Sequence, residues 1–478
     1  MASLSLPSPF LLILTLLLLF LLIYISPLNH NRLTLHLSPP PSTSSPYSHS
    51  QTTHRTPPQF PLAPDPDAPP PPPRSNSTTR LNSNVRHIKR DSKTKRIEEE
   101  LARARAAIRK AIRTQNFTSD REETYIPTGS VYRNPHAFHQ SHIEMVKRFK
   151  VWAYREGEQP MVHSGPMSYI YSIEGQFIDE MESESSHFKA RNPDEAHAFF
   201  LPISITKIVN LFYRLDPWHF PMLPIFTDYV NVVATKYPYW NRSHGADHFM
   251  VSCHDWAPEV IKEKKEYFKH FIRVLCNANT SEGFIPTRDV SLPEYNLKGH
   301  PEFSLGAPHI GLPPSKRTIL AFFSGAAHGD IRKRLFEYWK GKDSEIQVYE
   351  GLPKKTNYHK LMAQTKFCLC PSGSEVASPR VVEAMYQNCV PVIISDYYTL
   401  PFSEVLDWTK FAVFIPPKRI PELKTILQGI SQRRYLTLYK RVTQVARHFE
   451  LNRPAKPFDV YHMVLHSVWL RRLNIQLP

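Results

Sequence analysis

Short apolar runs alternate with longer mixed stretches along the chain from Tyr125 onward. Stretches with helical spacing include Pro258–His270, Ile331–Trp339 and Tyr358–Ala363. The apolar runs have the length of buried strands, and they lie at Phe149–Tyr154, Ala198–Leu201, Phe249–Ser252, Ile272–Leu275, Thr318–Phe323, Ile346–Tyr349, Phe367–Cys370, Val390–Ile394 and Ala412–Ile415. Strands that alternate with helices form parallel sheets covered on both faces. The pattern therefore predicts an α/β fold.

Two doubly wound, Rossmann-like lobes facing a cleft account for the number of predicted strands. The first lobe is predicted to cover residues 125–300. The second, residues 301–478, is predicted to end in closing helices. The Pro-rich stretch Asp289–Lys316 separates the strands of the two lobes. Ligands of such sheets bind at the carboxyl ends of the strands.

The residues before the lobes differ in composition. After a short tail (1–9), residues 10–25 form an apolar run that only Thr15 interrupts, which predicts a transmembrane signal-anchor. A cleaved signal peptide is the alternative, but the run exceeds the usual apolar region of such peptides and no small-residue cleavage site follows it. Residues 26–92 are rich in Pro and Ser and are predicted to be a disordered stem.

A basic helical stem is predicted for residues 93–124. Its apolar residues recur at alternating steps of four and three, namely at Ile97, Leu101, Ala104, Ile108 and Ala111. Two interpretations stay open, a short dimerising coil and a basic helix that lies against the catalytic domain. The few heptads favour the second interpretation.

The charge of the chain limits its partners. It contains 59 Lys and Arg residues and 43 Asp and Glu residues, which gives a formal net charge of +16. Such a balance can indicate nucleic-acid binding, but the sequence shows no nucleic-acid-binding module. Because the apolar run near the N-terminus indicates the secretory path, an anionic nucleotide and an acidic polysaccharide are favoured as counter-charges over nucleic acid. The basic balance alone does not separate these options.

The chain has five cysteines, Cys253, Cys276, Cys368, Cys370 and Cys389. No CxxC pair or Cys/His cluster has the spacing of a zinc site, and no metal or other cofactor is predicted. In an oxidising compartment the preferred disulfide is Cys253–Cys276. Buried free thiols in core strands are the alternative interpretation.

One segment concentrates the features of a nucleotide site. The apolar run Lys366–Cys370 is followed by a turn of Pro, Ser and Gly and then by Ser378 and Pro379, which suit the N-cap and first position of a helix. A helix start directs N–H groups and partial positive charge toward a phosphate. Arg380 adds a permanently charged, planar donor. An ordinary capped helix with solvated charges is the alternative.

This segment and four other blocks resemble the exostosin-like glycosyltransferases, glycosyltransferase family 47. The resemblance extends from about Phe149 to about Trp469 and looks closest to the plant subgroup that decorates pectin and related wall polymers. The other blocks are Lys150–Tyr154, Asp194–Pro202, Gly245–Phe249 and Arg288–Pro293. The resemblance implies a GT-B arrangement of the two lobes and metal-independent, inverting transfer from a UDP-sugar to a cell-wall polysaccharide.

The resemblance and the strand ends together predict a donor site in the second lobe. Arg332, Arg380 and the helix start would hold the diphosphate, and Glu383 would bind the ribose with Glu375 nearby. A turn of small residues before Arg332 lets backbone N–H groups approach a phosphate, although such turns often only connect elements. The predicted donor-binding residues are Ser324, Gly325, Arg332, Ser372, Gly373, Glu375, Ser378, Arg380 and Glu383, together with Arg288 from a matched block.

Inverting transfer also needs a base near the acceptor, because a sugar hydroxyl is a poor nucleophile at neutral pH. The candidates are Asp255 and His254, which follow a predicted strand, and Asp247, which precedes it and for which the resemblance suggests a structural role. Asp255 is preferred because a carboxylate needs no tautomer to be set. A His–Asp pair that only pins a loop is the alternative, and His163 is a more remote candidate.

Four Asn-x-Ser/Thr sequons, at Asn76, Asn116, Asn241 and Asn279, and the resemblance predict a catalytic domain in the Golgi lumen. The expected protein is a single-pass type II Golgi membrane enzyme that transfers a sugar, xylose or arabinose, to a polysaccharide such as pectin. Homo-oligomers and hetero-oligomers with other glycosyltransferases both stay open. Two other functions also stay open, a non-catalytic subunit of a transferase complex and a polysaccharide-binding wall protein.

Overall fold

The computed structural model describes residues 81–213, 222–297 and 311–477. The predicted anchor at 10–25, the stem up to residue 80 and the sequon at Asn76 lie outside the described residues. Within those three ranges, no helix is both long enough and apolar enough to cross a membrane.

Two parallel five-stranded sheets form the framework of the described residues. The first has its strands in chain order, β1 (Val151–Ala153), β2 (Ala198–Leu201), β3 (His248–Ser252), β4 (Ile272–Leu275) and β5 (Val290–Ser291). The second has the order β10-β9-β8-β6-β7, built from β6 (Ile319–Ser324), β7 (Ile346–Tyr349), β8 (Thr365–Pro371), β9 (Val390–Ile394) and β10 (Val413–Phe414). The mixed α/β fold with parallel sheets is thus confirmed, and it fits a GT-B-like fold.

Helices connect and cover the strands. In chain order they are α1 (Leu81–Thr114), α2 (Pro135–Arg148), α3 (Ser172–Glu182), α4 (Ile205–Phe212), α5 (Met222–Lys236), α6 (Tyr239–Ser243), α7 (Gly329–Trp339), α8 (Tyr358–Ala363), α9 (Arg380–Tyr386), α10 (Leu423–Gln428), α11 (Gln432–Val445) and α12 (Val460–Leu473). The predicted helix Pro258–His270 is wrong beyond its first turn, where a short 3₁₀ helix at Ala257–Ile261 gives way to turns. A continuous helix would place Glu263 and Lys264 on the face that buries the flanking apolar residues.

The two sheets differ in how the chain winds through them. In the second sheet the chain runs from β6 outward to β7 and then returns to β8 on the other side of β6. This reversal is the topological switch point of a doubly wound sheet, where a ligand crevice opens at the carboxyl ends of the strands. The first sheet has no such reversal, so the prediction of a doubly wound first lobe is wrong. Strand order depends on pairing between distant segments, which the local apolar pattern does not encode.

Side chains alternate between the two faces of the first sheet and join separate cores. Phe200 and Phe249 pack with Phe177 of α3 in one apolar cluster. Phe199 and Met250, their neighbours along β2 and β3, pack in a second cluster with α4 and α5. Because successive strand residues point to opposite faces, both faces are buried, as the continuous apolar runs predict.

The stem helix α1 lies against the first lobe. Ile97, Leu101 and Ala104 are buried in the main core, and Arg105 Nε donates to the Leu473 carbonyl at 2.7 Å. The apolar stripe is therefore covered by the domain, which supports the packed helix rather than the dimerising coil. The helix begins at Leu81, inside the segment predicted as disordered stem.

The C-terminal helix α12 belongs spatially to the first lobe, although it follows the second in sequence. Its Tyr461 hydroxyl donates to the Gln176 carbonyl of α3 at 3.3 Å. Its Arg472 donates to the His197 carbonyl before β2 at 2.9 Å and pairs with Glu98 of α1 at 2.6 Å. The C-terminal segment thus returns to the first lobe, where α12 contacts the stem helix α1, α3 and the residue before β2.

The sequons in the described residues differ in access, which predicts where glycan is attached. Asn116 and Asn241 are exposed, whereas Asn279 is only 6% exposed and its amide nitrogen donates to Glu282 at 2.9 Å. We expect glycan at Asn116 and Asn241 and none at Asn279, because only Asn279 of the three is buried. Glycopeptide mass spectrometry of the purified protein checks this, and a glycan on Asn279 would contradict the geometry.

Candidate active site

Arg380 lies at the reversal point of the second sheet, where β6 and β8 end. Its Nε and Nη2 donate to the carbonyl of Ser324, the last residue of β6, at 3.1 and 2.8 Å. Its Nη1 donates to Ser378 Oγ at 2.9 Å. The guanidinium also lies 4.8 Å from the centre of the Phe323 ring. An arginine side chain has five N–H donors, and these contacts use three of them. The remaining N–H groups can donate to a diphosphate in the crevice.

A second arginine accompanies Arg380 from α7. Arg332 is 8% exposed, its Nε donates weakly to the Pro371 carbonyl at 3.4 Å, and its guanidinium lies 5.7 Å from the Phe323 ring centre. Burial, together with the positive charge of Arg380, lowers the pKa of Arg332 to about 10. Two like charges held beside each other favour an anion between them.

The glycines of this region leave space for the arginines. A Cβ at Gly325 would lie 2.1 Å from Arg380 Nη2, and a Cβ at Gly373 would lie 2.8 Å from the Arg332 guanidinium carbon. Gly329, which opens α7, has a φ of +71°, and a Cβ there would meet the Gly373 carbonyl. The small residues predicted to approach phosphate therefore bring the two turns together around the arginine pair.

The rest of the predicted donor segment surrounds α9. The N-cap is Pro379, not Ser378, and the Ser378 hydroxyl instead accepts from Arg380. Ser372 donates to the Val376 carbonyl at 3.3 Å and so closes the turn. Glu383, in the first turn of α9, accepts from the Tyr358 hydroxyl at 2.8 Å. These residues lie at one edge of the sheet with the arginines, and their roles toward a donor stay predictions.

Glu375 faces the first lobe rather than the phosphate turn. Burial and the negative charge of Asp255 raise its pKa to about 9. Asn277, which follows β4 and is 1% exposed, partly offsets this rise, and its amide nitrogen donates to the Asp255 carbonyl at 2.9 Å. The donor loop and the first-lobe strand ends therefore meet across the cleft.

Asp255 lies at this cleft edge after β3. Burial raises its pKa, and a hydrogen bond from the Tyr171 hydroxyl partly offsets the rise. His254 beside it accepts from the Trp256 N–H at 3.1 Å, its ring lies 5.2 Å from that of Tyr171, and burial lowers its pKa to about 4. A neutral His254 shapes the turn, which leaves Asp255 as the ionisable group of the pair.

Glu294 is a site residue that the sequence analysis missed. It is 6% exposed and follows β5 much as Asp255 follows β3, so both carboxyls reach the same edge. Burial, followed by the charge of Asp255, raises its pKa to about 8, against the opposing effect of Arg380 and Arg332. The signal was present in the matched block that ends at Pro293, directly before this residue.

Two predicted site residues lie at the opposite edge. Asp247 precedes β3, is fully buried, and accepts from Ser243 and Arg242 at 2.5 and 2.6 Å; although burial alone would raise its pKa, His248 and Arg242 lower it. Arg288 precedes β5 and donates to Asp289 at 2.9 Å. Neither side chain faces the cleft, so the donor role of Arg288 and the catalytic candidacy of Asp247 are corrected to structural roles.

His163 is also engaged elsewhere. Its Nδ1 pairs with Glu182 at the end of α3, and this hydrogen bond raises the pKa of His163. A histidine that already pairs with a carboxylate outside the cleft is a poor candidate for the base that accepts the proton of the acceptor hydroxyl. Over the three described ranges, no three His, Cys, Asp or Glu side chains gather in a group that could hold a metal ion.

Two disulfides link neighbouring strands, and one of them lies beside the cleft. Cys253–Cys276 joins the residues that directly follow β3 and β4 and confirms the preferred pairing. Cys368–Cys389, which the sequence analysis did not pair, joins β8 to the start of β9. Cys370 is a buried free thiol. The first disulfide lies next to His254 and Asp255, so it holds the turn that carries the candidate base.

Removing the first disulfide should affect catalysis more than donor binding. We expect the pair Cys253→Ser and Cys276→Ser to lower stability by about 2–4 kcal/mol and to lower kcat beyond the loss of folded protein. The matched pair Cys368→Ser and Cys389→Ser should destabilise similarly but leave kcat per folded molecule closer to wild type. Thermal unfolding and turnover measured on the same samples separate the two effects. Equal kcat losses in both pairs would contradict the placement.

Fold and site together define the class of the protein. Two parallel α/β lobes meet at a cleft, with an arginine pair at the switch point of one lobe and carboxyls from the other lobe facing it. This arrangement fits a GT-B-like fold.

Comparison with known proteins identifies the family. Residues 131–430 match the Exostosin GT47 domain. A probable glycosyltransferase of Arabidopsis thaliana is 50% identical over 388 residues, which cover 81% of this chain and 73% of the relative. A probable beta-1,4-xylosyltransferase of the same plant is 28% identical over 342 residues (68% and 82%), and a probable glucuronosyltransferase of Oryza sativa subsp. japonica is 29% identical over 308 residues (59% and 71%).

The chain therefore belongs to the exostosin GT47 family and is a glycosyltransferase, related to proteins named as xylosyl- and glucuronosyltransferases. Membership of this family implies a sugar donor and a polysaccharide acceptor. The resemblance to the plant GT47 family is confirmed, and the pectin-decorating subgroup stays a prediction.

Proposed function

We propose that the protein is an inverting transferase that takes a sugar from a UDP-sugar to a plant cell-wall polysaccharide without a metal ion. The observation that carries this proposal is the pairing of Arg332 and Arg380 at the switch point, opposite Asp255. Cations at a crevice of this kind suit a diphosphate, and a carboxylate across the cleft suits an acceptor hydroxyl. Both halves of an inverting displacement are thus supplied by groups that the cleft brings together.

The proposed reaction follows from these positions. Asp255 accepts the proton of the acceptor hydroxyl as its oxygen forms a bond to the anomeric carbon. The bond between that carbon and the UDP oxygen breaks, and the electron pair leaves with UDP. Arg332 and Arg380 stabilise the charge that develops on the departing diphosphate, because fixed charges in a partly buried site need no rearrangement.

The positive charges of the two arginines support a reaction without a metal ion. Both arginines are held by carbonyl groups of the fold, Arg380 by Ser324 and Arg332 by Pro371. They would neutralise a diphosphate in the way that a divalent cation does in other transferases. We expect turnover to survive an excess of EDTA. Complete loss of turnover that Mn²⁺ restores would contradict this part of the proposal.

Location and substrate complete the proposal. We place the enzyme in the Golgi as a single-pass type II protein, with residues 10–25 as its anchor and pectin or a related wall polymer as the acceptor. The names of the relatives support a pentose or uronic acid as the transferred sugar. Terminal sequencing of the purified protein tests the anchor, since a mature N-terminus near Ser26 would indicate a cleaved signal peptide.

The test of the function is UDP release by the purified lumenal domain. The protein is incubated with UDP-xylose, UDP-arabinose, UDP-glucuronic acid and UDP-galactose, each with galacturonan, arabinan and xylan oligosaccharides. We expect acceptor-dependent UDP release with one donor, and product mass spectrometry should show one added sugar. UDP binding without turnover on any acceptor would favour a non-catalytic subunit. Polysaccharide binding without UDP binding would favour a wall protein.

A further inference from the structure

Trp256 is an exposed aromatic residue directly after the candidate base Asp255. It is 37% exposed, although an indole ring is among the largest apolar groups that a fold can bury. Its backbone N–H donates to His254 Nδ1 at 3.1 Å, and the Cys253–Cys276 disulfide holds the start of the same turn. The fold therefore keeps this ring at the surface beside the base.

Trp256 is one of four aromatic side chains that follow one another in space. The ring centres of Tyr171 and His254 lie 5.2 Å apart, and those of His254 and Trp256 lie 5.3 Å apart. On the other side of Trp256, the ring centre of Tyr213 lies 5.4 Å away. These four residues, the aromatic row, come from three segments, namely before α3, after β3 and after α4.

The rings of the aromatic row do not cover each other's faces. Successive ring planes are tilted by 44°, 60° and 69°, whereas a core pair such as Phe199 and Tyr239 stacks at 23°. Every member of the row is at least partly exposed. Single exposed apolar residues are ordinary, but contiguous ones mark binding surfaces. The row therefore has the character of a binding surface.

A sugar chain is the ligand that such a row suits. An aromatic face carries partial negative charge, and the C–H groups on one face of a sugar ring carry partial positive charge because each carbon bears oxygen. The hydroxyl groups project from the rim of the sugar and stay hydrated, so this contact needs no deep pocket. The family of the chain implies a polysaccharide acceptor, and the row lies in the lobe opposite the arginine pair.

We propose that the acceptor polysaccharide lies along the aromatic row, with its reacting sugar at Asp255, the next sugar on Trp256 and a further one on Tyr213. This inference rests on the proposed function, because it takes Asp255 as the group that meets the acceptor hydroxyl. The row offers more aromatic surface than one sugar covers, so it favours an extended chain over a short one. Trp256 and Tyr213 then determine the length of acceptor that the enzyme prefers.

The test measures the affinity for acceptors of different length. Disaccharides and hexasaccharides of galacturonan, arabinan and xylan are titrated into the purified full-length protein by calorimetry, without a donor. We expect wild type to bind the hexasaccharide of one polymer more tightly than its disaccharide. Trp256→Ala should weaken hexasaccharide binding about tenfold, whereas Tyr213→Ala should weaken it less and leave disaccharide binding unchanged.

Turnover gives a second readout. With an acceptor that supports UDP release, Trp256→Ala should raise the acceptor KM and leave kcat at saturating acceptor close to wild type, because the sugar on Trp256 does not react. Trp256→Phe keeps an aromatic face and should recover most of the affinity. Thermal unfolding of each variant checks that the turn beside Asp255 is intact.

Tyr338→Ala is the matched control. Tyr338 is 39% exposed on α7, where its ring contacts Arg334 outside the aromatic row. Its exposure is close to that of Trp256, so its removal reports the effect of losing an exposed ring elsewhere. We expect oligosaccharide binding and UDP affinity to stay at their wild-type values.

The outcomes separate this inference from the proposed function. Length-dependent binding that Trp256→Ala loses and Trp256→Phe retains supports the inference. It is overturned if wild type binds no oligosaccharide, if hexasaccharides bind no more tightly than disaccharides, or if Trp256→Ala binds as Tyr338→Ala does. Trp256-dependent binding without UDP release from any donor overturns the proposed transfer and leaves the polysaccharide surface standing.

Discussion

Replacing Asp255 by Asn should lower kcat by about 10²–10⁴-fold and leave the affinity for UDP largely unchanged. The reason is that Asp255 acts on the acceptor, from the lobe opposite the arginines. An Asn side chain keeps the shape and can still accept from the Tyr171 hydroxyl, but it cannot take a proton. Turnover with saturating donor and acceptor, and UDP calorimetry on the same sample, measure the two quantities.

The pH profile gives an independent reading of the same residue. Burial raises the pKa of Asp255 above its ordinary range, and the base works only when ionised. Wild-type kcat/KM should therefore fall as the pH falls through that raised pKa, whereas the residual activity of Asp255→Asn should lack this acid limb.

His254→Ala is the matched control for the loop. Burial lowers the pKa of His254 to about 4, so the ring is neutral at working pH and positions the Trp256 N–H. We expect a smaller loss of kcat, in proportion to the loss of stability. If Asp255→Asn and His254→Ala both lower activity only as far as they lower the folded fraction, the pair merely pins the turn. Near-normal kcat in both would move the search to other first-lobe groups.

The local features of the chain were predictable because short-range chemistry sets them. The apolar runs at Ala198–Leu201 and Val390–Ile394 became strands with the predicted bounds, since residues buried on both faces leave little choice of conformation. β5 was missed because it spans only two residues in a polar, Pro-rich stretch. The alternation also gave two parallel sheets, but not the order in which their strands pair.

The residues of the candidate site also divide into those set by local sequence and those set by tertiary packing. Arg380, Arg332 and Gly325 were identified from turns in which neighbours in sequence are neighbours in space. Glu294 and Tyr171 reach the cleft only through tertiary packing; the matched block ends directly before Glu294, and no local pattern marks Tyr171. Arg288 was assigned to the donor site because it lies in a matched block. Such a block indicates the family, but it does not show whether a given side chain lies before or after a strand.

Buried polar groups explain two further differences. Asn279 has the sequence of a glycan acceptor, but its amide caps a 3₁₀ turn between the lobes. Asp247 has the composition of a catalytic carboxylate, but Arg242 and Ser243 occupy its oxygens. In both cases the decisive fact is the set of partners that the fold supplies, which the sequence does not display.

Replacing Arg380 by Ala should weaken UDP binding by about ten- to a hundredfold, equivalent to a charge-assisted contact of roughly 1.5–3 kcal/mol. The side chain is half-buried at the switch point, where its charge is screened less than on an open surface. Its neighbour Arg332 remains, so binding should weaken rather than disappear. UDP calorimetry at fixed salt measures the change, and Arg380→Lys should recover only part of it because an ammonium group lacks the planar fork.

Stability has to be followed in parallel, because Arg380 also serves the fold. Its loss leaves the Ser324 carbonyl without two donors, and we expect a modest fall in Tm. Arg334→Ala is the matched control, since Arg334 lies on α7 with Arg332 but is exposed and contacts the Lys418 carbonyl and the Tyr338 ring instead. It should leave UDP affinity unchanged. A folded Arg380→Ala variant that binds UDP as tightly as wild type would remove the diphosphate from the switch point, and with it the basis for assigning the donor to the second lobe.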